Sequence, residues 1–123
     1  MYTQETFNLV KNQIKTYNKK RWQFKVGYIE KYVPTTDYLW CPPYEDNTVK
    51  VCLGIFFYSN KIGSDCVVRI YARGADDTGY IKEFCSNNPY EVLEKYDKFL
   101  NFYNKIPNNV SVAYFEKNGF THW

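Results

Sequence analysis

Arg69, Tyr71 and Arg73 alternate along a stretch of strand-forming residues, which places two guanidinium groups on either side of a phenol on one strand face. Planar guanidinium groups beside an aromatic ring can hold a phosphate, a base or an acidic protein surface. The chain has only three arginines, so this pairing draws notice. The same pattern also fits an exposed sheet face whose charges form cross-strand pairs. A second cationic group lies upstream. Lys11, Lys15, Lys19, Lys20, Arg21, Lys25 and Lys31 face a single acid, Glu30, over that stretch. Such a run can be an electrostatic footprint or a solvated helix end whose cations meet the negative dipole. Lys19, Lys20, Arg21, Arg69, Tyr71 and Arg73 together form one candidate site, for a phosphate-bearing ligand, with Tyr71 or Trp40 available for stacking.

Residues that could catalyse are sparse. The only histidine, His122, sits beside the terminal Trp123. Asp76 and Asp77 lie in a Gly-flanked turn, where Asp commonly serves local backbone hydrogen bonding. Cys41, Cys52, Cys66 and Cys85 lack the close spacing of a zinc site, and one histidine cannot complete the usual ligand sets. No phosphate-cradling glycine loop or nucleophile motif accompanies them. A non-enzymatic protein with no metal and no cofactor is therefore expected.

The stronger pointer to recognition is aromatic. The 123 residues include 13 Tyr, 9 Phe and 3 Trp, more than a core of this size readily encloses. Tyr38, Trp40 and Tyr44 cluster in a segment that Pro34, Pro42 and Pro43 exclude from a regular ladder. Prolines limit the entropy lost on binding, and the rings supply contact area. These three residues are the candidate partner-binding anchors. The alternative is a loop folded back as a plug on the core.

The elements that must position these residues follow from periodicity. Thr3 caps a first helix with Phe7, Val10, Ile14 and Tyr17 on one face, closed by Lys19-Lys20-Arg21. Trp22, Phe24, Val26 and Tyr28 then alternate as one face of a strand. Val49–Tyr58 and Asp65–Arg73 read as a central hairpin, with Cys66, Val68, Ile70 and Ala72 on its core face, and Tyr80–Cys85 as a further strand. Asn88, Pro89 and Glu91 open a second helix with a capping box, and Val92, Tyr96, Phe99, Leu100 and Tyr103 form its apolar stripe. Val110–Phe115 reads as a last strand, followed by a tight turn at Asn118-Gly119. The expected fold is α+β: a single domain over residues 1–123, with a mainly antiparallel sheet of about five strands and two amphipathic helices, in the order helix, strand, loop, three strands, helix, strand.

Composition places the protein. Its longest apolar run, Val51–Phe57, is too short to span a bilayer, so no membrane partner is expected. The N-terminus lacks the apolar core of a signal peptide, so a cytoplasmic location with four reduced cysteines is expected. Lys outnumbers Arg 13 to 3 and Asn is frequent, a bias toward A/T-rich codons. The combined expectation is a protein-binding inhibitor or adaptor, encoded by a phage or other mobile element of a low-GC bacterium and directed at a host defence protein. The alternative is a binder of nucleic acid or a nucleotide signal. Self-association through an exposed strand edge stays open.

Overall fold

The computed structural model describes residues 3–16, 24–35, 47–57, 66–75 and 79–122. Five strands, β1 (Phe24–Pro34), β2 (Thr48–Phe57), β3 (Cys66–Arg73), β4 (Gly79–Cys85) and β5 (Thr121–His122), pair antiparallel in chain order. Helices α1 (Gln4–Thr16) and α2 (Pro89–Asn104) pack with the sheet, α2 across β2 and β3 and α1 beside β1 and α2. The α+β expectation holds. Tyr17 and the cationic run Lys19, Lys20 and Arg21 lie outside the described residues, as do Trp22, Cys41, Asp76, Asp77 and Trp123.

Side-chain alternation decides which sheet face meets the helices. Val49, Val51, Leu53, Ile55 and Phe57 of β2 share a core with Cys66, Val68, Ile70 and Ala72 of β3. Phe7 and Val10 of α1, and Val92, Leu93, Phe99 and Tyr103 of α2, close over them. Burying each large apolar side chain contributes roughly 1.5–3 kcal/mol, which offsets the ordering of the chain. Arg69, Tyr71 and Arg73 take the opposite face, as their spacing requires.

β1 departs from simple alternation. Val26 pairs with Ile55 and Ile29 with Leu53, so two residues, Gly27 and Tyr28, stand opposite Gly54. This bulge is built on Gly27, whose φ is +63°. It carries Tyr28 to the face away from the helices, whereas the sequence pattern puts Tyr28 with Val26. The Tyr96 hydroxyl on α2 donates to the Gly27 carbonyl at 2.7 Å and ties the bulge to the helix layer. A Cβ on residue 27 would lie 2.9 Å from that hydroxyl, so both backbone angle and space require glycine.

The helix ends are satisfied by specific groups. Thr3 Oγ1 accepts from the Thr6 amide at 3.1 Å and caps α1. Asn88 Oδ1 accepts from the Tyr90 amide at 3.0 Å and Pro89 opens α2, as expected. The capping box differs: the Asn88 amide donates to Ser86 Oγ at 3.0 Å, the role assigned to Glu91 from sequence. At the other end α2 has no basic residue in its last turn. Lys31 on β1 serves instead, donating to the Tyr103 carbonyl at 2.7 Å with its ammonium 4.3 Å from the Tyr103 ring centre. Burial pushes the Lys31 ammonium below its ordinary pKa.

The expected strand over Val110–Phe115 is overturned. Only Val110 bridges, in parallel with Thr35, its amide donating to the Pro34 carbonyl at 3.0 Å. Residues Val112–Lys117 form a short helix, α3. Its terminator decides the outcome. The Gly119 amide donates to the Glu116 carbonyl at 3.1 Å, and Gly119 at φ +88° turns the chain so that the Phe120 amide reaches the Phe115 carbonyl at 3.0 Å. The Phe115 and Phe120 rings meet across this turn at 5.2 Å. The Asn118-Gly119 turn is thus present, but it closes a helix. The last strand follows it as β5.

Candidate functional site

The sheet face turned away from the helices is the candidate site. Gly54 at its centre has no side chain, and the Phe56 and Tyr28 rings lie over it, within 3.2–3.3 Å of where a Cβ would stand. These two rings meet edge to face at 6.2 Å. Lys25 lies 4.0 Å from the Tyr28 ring centre, and the Arg69 guanidinium 5.5 Å from that of Phe56. Phe56, Cys52 and Val67 on this face are buried, although none belongs to the core shared with the helices.

A polar cluster adjoins the rings. Register places Glu30, Cys52 and Tyr71 in one row across three strands, and Tyr32, Lys50 and Arg73 in the next. The Tyr28 hydroxyl donates to Glu30 Oε2 at 2.7 Å and lies 3.4 Å from the buried Cys52 thiol. Lys50 Nζ lies 3.0 Å from the same carboxylate oxygen. The hydrogen bond from Tyr28, then that from Lys50, holds the Glu30 carboxyl below the usual carboxylate range. Glu30 in turn raises the Lys50 ammonium. Burial, reinforced by Cys52 and Glu30, pushes the Tyr28 phenol far up, and burial with Cys52 raises Tyr71. Both phenols stay protonated at neutral pH and offer hydroxyls rather than nucleophilic phenolates.

Of the residues singled out from sequence, Arg69, Tyr71 and Arg73 stand together on this face. Arg69 Nε and Nη2 each lie 3.0 Å from Glu83 Oε2 on β4, so its planar fork already holds a carboxylate. Lys19, Lys20 and Arg21 lie outside the described residues. Tyr38, Trp40 and Tyr44 also lie outside them. Their segment starts and ends at a pinned base, where the Thr35 amide donates to the Asn47 carbonyl at 2.8 Å. That base continues from the Tyr32–Lys50–Arg73 row. His122 is exposed and meets the Tyr80 ring edge to face at 5.1 Å. Cys52, Cys66 and Cys85 are in no disulfide. Among the described residues, no three of His, Cys, Asp and Glu gather as metal ligands. Nor is any helix long and apolar enough to cross a membrane.

Tyr28, Glu30, Lys50, Cys52 and Phe56 were not among the sequence candidates. Residues 51–57 read as an unbroken apolar run, which hides the alternation of Lys50, Cys52, Gly54 and Phe56 on one face. For Tyr28 the available signal was Gly27, since an isolated glycine in a strand pattern marks a bulge. No protein family matches the chain, and neither the curated proteins nor the solved structures contain one significantly similar to it.

Proposed function

We propose that the protein is a non-enzymatic binding protein that occludes a surface of a protein partner. Its contact surface is the sheet face turned away from α1 and α2, together with the 36–46 segment. The observation carrying this reading is the composition of that face: Tyr28, Tyr32 and Tyr71 interleave with Lys25, Lys50, Arg69 and Arg73. Aromatic and arginine side chains are what protein interfaces concentrate at their centres. Among the described residues of this face, Lys25, Lys50, Arg69 and Arg73 stand against Glu30 and Glu83, a positive balance suited to an acidic partner. With the A/T-rich coding bias, the proposed partner is a host defence protein of a low-GC bacterium, met in the cytoplasm as the target of an inhibitor from a phage or another mobile element.

Tyr32 is about half exposed, at the edge of the face nearest that segment. A partner captured stoichiometrically from such a host should bind Tyr32→Ala and Trp40→Ala variants at least about 30-fold more weakly, a loss of roughly 2 kcal/mol, with melting temperatures unchanged. A large drop in the melting temperature of Trp40→Ala with unaltered affinity would make that ring a core plug and reject the 36–46 segment as an anchor.

The positive balance also favours a second reading, a phosphate-bearing ligand such as nucleic acid or a nucleotide held at Arg73 and Tyr71. Affinity that falls steeply with added salt would select it, because phosphate contacts release counterions. Affinity that changes little with salt would select the aromatic protein interface.

A further inference from the structure

A second, separate concavity lies on the helix side of the molecule, between α2, β4 and the α3–β5 turn. Its volume is about 220 Å³. Ile70, Phe99 and Phe120, all buried, line its depth, and the half-buried Phe102 forms a wall. Lys82, Lys95 and Lys98 stand around the same space.

The arrangement follows from the helix period. Lys95, Lys98, Phe99 and Phe102 recur at spacings of three, one and three on one face of α2, so ammonium groups and rings are presented together. Lys82 comes from the opposite wall. Its ammonium donates to the Asn118 carbonyl at 3.0 Å, at the C-terminal end of α3, and lies 6.0 Å from the Phe99 ring centre. Lys95 lies 5.1 Å from the Phe84 ring centre. Two acids are near: Glu91 and Glu94 share the adjoining groove with Lys95 and Lys98, and exposed Glu94 lies 3.7 Å from Lys98 Nζ. Among the described residues, three cations against these two carboxylates leave the mouth a positive balance over an aromatic floor.

We propose that this cleft binds a small aromatic anion, its ring among Phe99, Phe102 and Phe120 and its phosphate or carboxylate among Lys82, Lys95 and Lys98. The volume suits one ring with a compact headgroup, since a cavity of about 150 Å³ admits benzene. The rings supply an apolar, face-stacking bed, and ammonium groups beside a low-dielectric surface attract an anion more strongly than they would in open water. Lysine offers point charges rather than a planar fork, so either headgroup fits.

The test is a chemical-shift titration of the full chain with phenyl phosphate, benzoate, inorganic phosphate and benzyl alcohol. Saturable shifts should map to Lys82, Phe99, Phe102 and Asn118. At least one aromatic anion should bind about tenfold or more tighter than both inorganic phosphate and benzyl alcohol, and the tighter one names the headgroup. In the Lys95→Gln/Lys98→Gln double variant, which alters only surface side chains, that affinity should fall by about tenfold. Three outcomes each overturn the proposal: inorganic phosphate binding as well as phenyl phosphate, shifts that map elsewhere or do not saturate, or a double variant that binds as tightly. In the last case the lysine stems merely cover apolar surface.

Discussion

Glu30 accepts hydrogen bonds from the Tyr28 hydroxyl and Lys50, and its carboxyl titrates lower in the folded than in the unfolded chain. Its ionised form therefore contributes stability that is fully present above about pH 4.5 and is lost as pH falls through the depressed value. Glu30→Gln should lower stability modestly at neutral pH and converge with the parent in acid, which flattens that part of the acid-unfolding profile. Denaturant melts from neutral pH down to about pH 3 check this, and an unchanged acid slope would remove Glu30 from the cluster's electrostatics. Gly27 and Tyr96 make a second residue-level case. Gly27→Ala should cost roughly 1–3 kcal/mol, because it forces a side chain into left-handed backbone. Tyr96→Phe should cost about 1 kcal/mol by leaving the Gly27 carbonyl without its donor. The double variant should be less destabilised than the sum of the two, since the added methyl clashes with the hydroxyl that the second change removes. Strict additivity would mean the two residues do not meet as described.

At the scale of elements, the ends of α2 are the informative places. Asn88→Ala should destabilise by about 1 kcal/mol through the lost cap. Lys31→Met should cost a similar amount, about 1 kcal/mol, although Lys31 is far from the helix in sequence, because it meets the negative end of the α2 dipole. Equilibrium denaturant unfolding measures both, and a neutral Lys31→Met would leave that helix end served by other groups. The pair shows what sequence could reveal. Asn88 and Pro89 act locally, so the start of α2 was legible; Lys31 acts across 72 residues and was not. The faces of β3 were legible because strict alternation carries them. The α3 segment was misread because Val110, Val112, Tyr114 and Phe115 favour strands, while its decisive signal, Gly119 as a helix terminator, lies beyond the run. The site was half legible. Arg69, Tyr71 and Arg73 declared themselves by spacing, but Tyr28 reached the same face only through the Gly27 bulge.

At the scale of the whole molecule, the sheet divides two environments. One face joins α1 and α2 in a mixed aliphatic and aromatic core. The other bears rings, cations and a hydrogen-bonded carboxylate, and its margin holds the base of the segment carrying Tyr38, Trp40 and Tyr44. The most direct test of the recognition account is hydrogen–deuterium exchange on the chain with and without its stoichiometrically captured partner. The account predicts added protection in residues 28–32, 36–46 and 69–73, with the outer surfaces of α1 and α2 unchanged. Protection confined to α1 and α2, with those three segments exchanging as in the isolated chain, would contradict it.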